Sequence, residues 1–442
     1  MDKQTEYVLR TVEERGIRFI RLWFTDVLGY LKSFAITPAE LETAFEEGMQ
    51  FDGSAIDGFS RVQEADMLAH PDPTTFQILP WRDDQAGVAR MFCDLTTPDG
   101  EPFEGDPRSV LKRNLQRAAD LGFSFFVGPE VEYFYFADSG PHPKALDRGG
   151  YFDLTPLDVA QEYRRRTIMA LENLGIPVES SHHEVAPSQH ELDLRYTDAL
   201  TMADALMTTR LAVKQVAMEH GIYATFMPKP VEGVDGSGLH LHLSLFEGDR
   251  NAFYEVGGEY GFSKAGRGFV AGLLRHGAEI TAITNQWVNS YKRLVSGFDA
   301  PVWITWARNN QSALVRVPTF KKGKPTSTRV EFRSPDPACN PYLAFSVILA
   351  AGLAGIESGY DLPAEVTSDV AGLTPEELAA AGIRRIPASL ADALDVMEDS
   401  ELVAGALGEH LFEWFLRNKR AEWDRYQRHV SRYEIEEYLP IL

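Results

Sequence analysis

Residues 239–245, Leu-His-Leu-His-Leu-Ser-Leu, alternate strictly between leucine and polar side chains. Successive side chains of a β-strand point to opposite faces, so the leucines share one face while His240, His242 and Ser244 share the other. The pattern therefore predicts a strand with one buried face. Two imidazoles and a hydroxyl make an unusual solvated face, and a functional and a solvated interpretation of that face are equally open.

Two other segments place charged side chains on one face of a predicted strand. Residues 130–132 read Glu-Val-Glu, and residues 329–333 read Arg-Val-Glu-Phe-Arg. Taken alone, a solvated face is the simpler interpretation of the first, and a salt-bridged strand is the simpler interpretation of the second. A fourth segment, residues 181–191, contains a Pro-Ser turn that could bring Glu184 and Glu191 together.

The four segments together offer oxygen ligands and one imidazole to a metal ion. Hard oxygen ligands with a single histidine suit Mg²⁺ or Mn²⁺ better than zinc. Neighbouring arginines can grip phosphate oxygens, so the combination predicts phosphoryl transfer. The sequence has neither a Walker-type P-loop nor a Rossmann glycine pattern, so neither of those nucleotide sites is expected. The candidate ligands are five carboxylates and one histidine of these segments, the carboxylates being Glu130, Glu132, Glu184, Glu191 and Glu331.

Composition limits the class of protein. The 442 residues are enough for a large core and two domains. A formal net charge of −22 argues against nucleic-acid binding, because phosphates would be repelled. Two cysteines and a charged N-terminal segment without a signal-peptide core favour a cytoplasmic protein. No apolar run approaches the 18 or so residues that a membrane-spanning helix needs, so no membrane partner is expected.

Proline, glycine and helix-capping residues mark boundaries between segments of the chain. Residues 19–24 predict a strand, and residues 98–102, Pro-Asp-Gly-Glu-Pro, predict a linker. After it, Asp106 and Pro107 predict the start of a helix that Gly122 ends. Residues 123–136 predict two strands joined by a turn. The last hundred residues are predicted to be mostly helical, closing on a helix over residues 433–438 that could dock against another surface.

At this point the segments resemble a known family, the class I glutamine synthetases, and within it the branch of γ-glutamylamine and γ-glutamylpolyamine ligases. A segment like the family's amine-site loop and six core motifs carry the resemblance in chain order over nearly the whole sequence. They begin with Phe-Asp-Gly-Ser at residues 51–54 and end with Asn-Pro-Tyr-Leu at residues 340–343. Residues 51–54 correspond to the amine-site loop, and the other five core motifs lie at residues 128–132, 182–184, 236–242, 289–294 and 329–337.

The resemblance implies an α+β fold. Residues 1–100 would form a β-grasp domain, and residues 101–442 a catalytic domain of the glutamine synthetase/guanido kinase type with a funnel of antiparallel strands. It also implies a dodecamer of two stacked six-membered rings, in which Asp52 reaches the active site of a neighbouring subunit. The activity would be ATP-dependent ligation of glutamate to an amine or ammonia, with two or three Mg²⁺ or Mn²⁺ ions per site.

Site roles follow from the same resemblance, position by position. Glu132, Glu184 and Glu191 would hold one metal ion, and Glu130, His240 and Glu331 a second. The remaining roles divide between substrates and catalysis. Glutamate would contact Gly236, Arg293, Arg333 and Asp235; the nucleotide would contact His242, Ser244, Arg316 and Arg329; and catalytic roles would fall to Asp52, Asp299 and Arg316.

Four positions depart from the family pattern near the amine and phosphoryl sites. Gln311 stands in place of an arginine, and Asp299 in place of the flap glutamate. Ala55 replaces a serine, and Asp235 replaces an asparagine at the glutamate site. A roomier, more negative pocket suits an alkyl ammonium ion or a polyamine, so a γ-glutamylamide product is the favoured expectation.

Other functions stay open. The four departures could be drift in a glutamine synthetase that uses ammonia, and the chain could be a non-catalytic scaffold or sensor. A guanidino or carboxylate kinase of related fold fits the ordered motifs less well. Many bacterial relatives carry a tyrosine that accepts AMP; residues 379–387 here contain no tyrosine, so adenylylation is not expected.

Overall fold

A computed structural model describes residues 2–54, 56, 66–81, 87–310, 312–318, 324–367, 370 and 372–442. Ala55 and Gln311, two of the four departures, lie outside these residues. Helices and strands are mixed along the chain, as the α+β expectation requires. Among the described residues, no helix combines the length and the apolar character needed to cross a bilayer.

The N-terminal part is a sheet with helices against it. Its strand order is β2-β1-β6-β4-β3, with β5 paired to β6, and β1 runs parallel to β6. Strand β1 confirms the strand predicted from residues 19–24. The elements are α1 (Lys3–Glu14), β1 (Ile17–Thr25), β2 (Leu31–Ile36), α2 (Leu41–Glu46), β3 (Met49–Asp52), β4 (Asp66–Pro71), β5 (Gln77–Ile78) and β6 (Gly87–Thr96).

The segment predicted as a linker forms a hydrogen-bonded turn. The Thr97 amide donates to the Glu101 carbonyl at 2.8 Å, and the Gly100 amide donates to the Thr97 carbonyl at 2.9 Å. Gly100 has φ +84°, which a side chain would strain. The turn folds the chain back on β6, and Asp106 then caps the next helix as expected by accepting from the Arg108 amide at 3.1 Å.

The rest of the chain surrounds a second, larger sheet of order β14-β15-β16-β12-β7-β9-β8. Strands β10 and β11 pair with β7, and β13 pairs with β12; every pairing is antiparallel except that of β14 with β15. The strands are β7 (Ser124–Phe136), β8 (Val178–His183), β9 (Gln189–Leu194), β10 (Thr197–Asp198), β11 (Tyr223–Thr225), β12 (Leu239–Glu247), β13 (Arg250–Asn251), β14 (Trp303–Ala307), β15 (Ala313–Arg316) and β16 (Val330–Phe332).

Helices cover one face of this sheet. The leucines of β12 are fully buried against them, which confirms the strand with one buried face predicted from residues 239–245. The C-terminal hundred residues are helical as predicted, with Gly408 at φ +83° separating the two helices over residues 401–427. The helices are α3 (Pro107–Asp120), α4 (Gln161–Asn173), α5 (Ala199–Glu219), α6 (Lys264–His276), α7 (Thr281–Thr284), α8 (Ser290–Arg293), α9 (Pro341–Glu357), α10 (Pro375–Ala380), α11 (Leu390–Glu398), α12 (Glu401–Leu407), α13 (Glu409–Gln427) and α14 (Arg432–Tyr438).

One prediction about this sheet was wrong. Residues 123–136 form the single long strand β7 rather than two strands with a turn. Pro129 cannot donate to a ladder, but it pairs with Leu241 on one side and lies between the β10 and β9 pairings on the other. Its missing amide proton therefore falls at the gap between the β10 and β9 pairings, and β7 continues past this gap.

Candidate active site

The strand register sets charged side chains beside each other across the larger sheet. Glu130 on β7 lies opposite His240 on one side and Asp193 on the other. Two residues further along β7, Glu132 lies opposite Glu191 of β9. Because side chains two apart share a face, both rows lie on the face that the leucines of β12 leave free.

The first row joins a further strand to form one candidate metal centre. Ligand atoms of Glu130, His240 and Glu331 all lie within 4.8 Å of one another. His240 and Glu331 are buried, and Glu331 lies on β16 opposite His242. The buried Nε2 atom of His240 has no hydrogen-bond partner among the described residues. His240 Nδ1 lies 3.2 Å from Glu130 Oε2, and an imidazole beside two carboxylates is a donor set that fits a divalent cation.

Histidines and arginines stabilise the ionised form of these carboxylates. His242 Nε2 lies 2.7 Å from Glu130 Oε1, and Arg329 Nε donates to His242 Nδ1 at 3.1 Å. Although burial opposes it, the hydrogen bonds with His240 and His242 hold the pKa of Glu130 well below its ordinary value. The site therefore presents this carboxylate in the form that a metal ion needs.

The second candidate centre is formed by the β8–β9 hairpin. Ligand atoms of His182, Glu184 and Glu191 lie within 4.8 Å of one another, and His182 Nε2 is 2.8 Å from Glu184 Oε1. The Pro-Ser turn brings the two glutamates together as expected, with Ser188 at φ +64°. Glu132 stands outside that 4.8 Å group, because its Oε2 accepts from Gln189 Nε2 and from the Gly238 amide, each at 2.9 Å.

Buried carboxylates of like charge face each other between the strands. Burial and the neighbouring Glu184 raise the pKa of Glu132 well above its ordinary value. Burial, Glu132 and Asp193 raise the pKa of Glu191 to about 12. Two buried carboxylates side by side resist joint ionisation unless a cation lies with them. This electrostatic frustration is what a divalent ion would relieve, so the residues fit such an ion.

The predicted arginines lie at the edge of this cluster. Arg316 Nη1 donates to Glu331 Oε2 at 2.9 Å, and Arg333 Nη1 donates to Glu331 Oε1. Arg316 and Arg329 are half-buried, so each keeps donors that an anion could meet. Ser244 is buried on the same face of β12. The structure thus brings the predicted nucleotide-binding side chains to the sheet face that carries the acidic clusters.

Arg293 is placed differently from the other predicted glutamate contacts. It is 1% exposed and donates to three backbone carbonyls, those of Arg333, Ser334 and Pro335, at 2.9–3.2 Å. A Cβ at Gly238 would come within 2.5 Å of Arg293 Nη2, so the glycine is required for this close approach. Gly236 is likewise buried, and its carbonyl accepts from Gln189 Nε2 at 3.0 Å.

Two of the departures contact each other. Asp235 Oδ1 accepts a hydrogen bond from the Asp299 amide at 2.9 Å, and Asp299 Oδ1 accepts one from Arg333 Nη2 at 2.9 Å. The Asp299 side chain nevertheless stays 52% exposed. The loop that carries Asp299 also contacts Lys229, whose Nζ lies 3.7 Å from the centre of the Phe298 ring.

Asp52 lies apart from these groups within one chain. It ends β3 of the N-terminal sheet, is exposed, and accepts from the Ser54 amide at 2.8 Å. Hydrogen bonds from the Ser54 side chain and from its amide lower the pKa of Asp52, so the carboxylate is ionised near neutral pH. No hydrogen bond or ion pair of the described residues joins Asp52 to the two acidic clusters.

Several residues of the site carried no predicted role. Gln189 and Asp193 alternate with Glu191 on β9, and His182 lies two residues before Glu184, so the same period-two pattern contained the signal. What the sequence does not reveal is the partner across the sheet. The contact of Gln189 with Glu132, 57 positions away, depends on the strand order.

Comparison with known proteins assigns this arrangement to a family. The model described as "Glutamine synthetase, catalytic domain" matches residues 104–438, and that described as "Glutamine synthetase, beta-Grasp domain" matches residues 16–98. The chain belongs to the glutamine synthetase family. The predicted fold class, with a β-grasp part and a glutamine synthetase catalytic part, is therefore confirmed.

Individual relatives match over the full length. The chain is 57% identical over 446 residues to a glutamine synthetase of Mycolicibacterium smegmatis, covering 100% of both chains. It is 48% identical to that of Thermotoga maritima, covering 98% of this chain and 99% of the relative. A solved structure titled "GmaS/ADP complex-Conformation 1" superposes with a TM-score of 0.88 at 33% identity, covering 98% and 99% of the two chains. The chain is thus an ATP-dependent glutamate–ammonia or glutamate–amine ligase of a family that uses divalent metal ions.

Proposed function

We propose that the acceptor of this ligase is an alkyl amine or a polyamine, and that the product is a γ-glutamylamide. The contact between Asp235 and Asp299 carries the proposal. The Asp299 backbone amide donates to Asp235 Oδ1 at 2.9 Å, so the two departures adjoin in one pocket, and that proximity supports a joint change over independent drift. Asp299 is one methylene shorter than glutamate, and Arg333 holds it against the sheet, so space opens beside the acceptor.

The proposed reaction has two steps. An oxygen of the glutamate γ-carboxylate attacks the γ-phosphorus of ATP, and ADP leaves; the amine nitrogen then attacks the acyl carbon, and inorganic phosphate leaves. Divalent ions, when bound, neutralise the carboxylate and phosphate oxygens as they approach. Arg316 and Arg329 bind the phosphates, and Asp299 with Asp52 attracts the ammonium form and accepts its proton.

The residue assignments belong to the same proposal. Glu130, His240 and Glu331 would hold one ion; Glu184 and Glu191, with His182 beside them and Glu132 opposite, would hold another. We also place the division between the two domains at residue 100. A separate apolar core beneath the N-terminal sheet supports that division. A cytoplasmic, dodecameric enzyme is the corresponding proposal for location and assembly.

Steady-state kinetics with ammonium and a series of amines tests the acceptor. Each methylene of a larger amine that becomes buried contributes about 0.8 kcal/mol. Two or three methylenes should therefore raise the specificity constant roughly tenfold or more over ammonium. The double variant Ala55→Ser/Asp299→Glu should shift preference back toward ammonium. Asp99→Glu, the same change on an exposed turn, should leave it unaltered.

Ammonia is the second candidate acceptor. The 57% identity to a protein named glutamine synthetase favours it. A specificity constant for ammonium above that for every amine tested, with no response to the double variant, would establish this alternative. If no phosphate is released with ammonium or with any amine, at any concentration, the non-catalytic interpretation would remain.

A further inference from the structure

A cavity of about 500 Å³ lies outside the acidic clusters, among turns and helices that adjoin the two sheets. Its walls are the turn after β1 at residues 28–30, helix α5, the segment after β11, the start of α8 and helix α13. None of the residues in the two candidate metal centres lines it. The cavity is therefore separate from the site of ligation.

The cavity has a surplus of positive charge. Arg210, Lys214 and Lys292 line it, and neither lysine forms an ion pair with any described residue. The acidic side chain in the described lining, Glu422, is already paired with Lys419 at 2.8 Å and accepts from the Val288 amide at 3.2 Å. In a chain of net charge −22, a local surplus of cations attracts anions selectively.

Arg210 adds an unsatisfied donor to this surplus. Its Nη2 donates to the Cys339 carbonyl at 2.7 Å, whereas its buried Nε has no hydrogen-bond partner among the described residues. A buried donor left without an acceptor costs about 1–3 kcal/mol. Burial also lowers the pKa of Arg210, a penalty that a neighbouring anion would offset.

Aromatic rings form part of the remaining wall, together with aliphatic side chains. Tyr30 and Trp287 lie with their ring centres 6.0 Å apart, and Phe226 and Tyr426 complete the lining. Lys419 Nζ lies 3.6 Å from the centre of the Trp287 ring and so covers part of it. Rings on several sides with cations between them suit a flat apolar body that carries a negative group.

We propose that this cavity binds a small organic anion with a planar apolar body and one carboxylate or phosphate group. Contacts through Lys229 link its lining to the proposed glutamate site. The side chain of Asn289, in the cavity wall, hydrogen-bonds to the backbone amide and carbonyl of Lys229 at 2.8 and 3.0 Å. Lys229 in turn lies over the ring of Phe298, on the loop that carries Asp299. A second link is covalent, because Lys292 of the cavity directly precedes Arg293, a predicted glutamate contact. Occupancy of the cavity therefore changes the Michaelis constant for glutamate, whichever amine is the acceptor.

Calorimetric titration of the full-length protein, saturated with ADP and Mg²⁺, tests binding. The probes are 2-naphthoate, 2-naphthyl phosphate and the neutral 2-naphthamide. One or both anions should bind saturably and the amide at least about tenfold more weakly, as the loss of one charged contact predicts. The two anionic probes distinguish a carboxylate from a phosphate ligand.

Matched variants show whether the measured heat comes from binding in this cavity. Lys214→Gln/Lys292→Gln should weaken anion binding about tenfold or more, and Lys3→Gln/Lys264→Gln, which removes two exposed lysines elsewhere, should not. Absence of saturable heat, equal affinity for the amide, or equal affinity in the two double variants would overturn the site. The bound anion should also shift the glutamate Michaelis constant about fivefold, and an unchanged constant would overturn the coupling. Neither binding result depends on the acceptor, so this test and that of the proposed function fail separately.

Discussion

At the scale of single residues, the site is governed by carboxylates that neighbour one another. Glu132 and Glu191 lie in register on adjacent strands, and burial places both in a medium where charge is costly. Period-two alternation in the sequence predicted that each would point to the functional face. It could not predict that they face each other, because the register of β7 and β9 is set by hydrogen bonds between segments 59 positions apart.

The pair predicts how stability depends on pH. Its pKa values are raised in the folded chain, so the folded state binds protons that the unfolded state releases above the ordinary value of 4.5. The contribution of this pair to stability should therefore be greatest below that pH and fall continuously as pH rises toward the folded pKa, about 12 for Glu191. In EDTA, the thermal midpoint should decline from about pH 5 to about pH 9, and Mg²⁺ should reverse the decline.

Two variants isolate the cause of that decline. Glu191→Gln removes one carboxylate of the pair, so the midpoint in EDTA should fall less steeply and Mg²⁺ should raise it less. Glu162→Gln, an exposed glutamate paired with Arg165 and Arg166, should behave as wild type. The explanation is wrong if wild type and Glu191→Gln show the same slope in differential scanning fluorimetry.

At the scale of elements, two helices behind the sheet pack at the distance that glycine permits. A Cβ at Gly272 of α6 would lie 2.1 Å from the Ala351 carbonyl oxygen of α9, and one at Gly355 would lie 2.0 Å from that of Gly268. Helix periodicity can predict which face of α6 is buried. It cannot predict so short an interhelical distance, because the glycines look like weak points of a helix until the partner is known.

Gly272→Ala should lower the thermal midpoint, because the new methyl group meets backbone that cannot move aside. We expect the free energy of unfolding to fall by about 3 kcal/mol, which is in the upper part of the range for overpacked cores. Gly405→Ala in α12 is the matched control: nothing lies within 4 Å of its Cβ position, so the better helix propensity of alanine should stabilise by about 1 kcal/mol. Equal effects of the two substitutions in thermal unfolding would contradict the packing argument.

At the scale of the whole molecule, the arrangement of Asp52 favours an assembly. Its carboxylate lies on the N-terminal sheet, exposed, while the clusters it would serve lie on the other sheet. Motif matching predicted its role, but the arrangement of subunits is not encoded in any local pattern. We expect Asp52 to complete the site of a neighbouring subunit across a head-to-tail ring interface.

Complementation between two inactive variants tests this arrangement. Asp52→Ala should remove the acceptor site and Glu331→Ala a metal ligand, so each protein alone should be inactive. Co-expressed in equal amounts, random pairing should restore about a quarter of the sites, because each needs one intact residue from each subunit. Persistent inactivity of mixed oligomers that contain both chains, shown by native mass spectrometry, would place both residues in the same subunit's site.

The location of the acidic clusters has an evolutionary consequence. Every proposed metal ligand lies on a strand of the larger sheet or at the adjoining hairpin, whereas Asp52 and Asp299 lie at the margins of loops. Substitutions in the loops can therefore accumulate without disturbing the spacing that phosphoryl transfer requires. A lineage with this architecture can change the nucleophile it accepts while it keeps its activated intermediate, and laboratory recombination of residues 51–56 and 296–300 between relatives offers a modular route to new γ-glutamyl products.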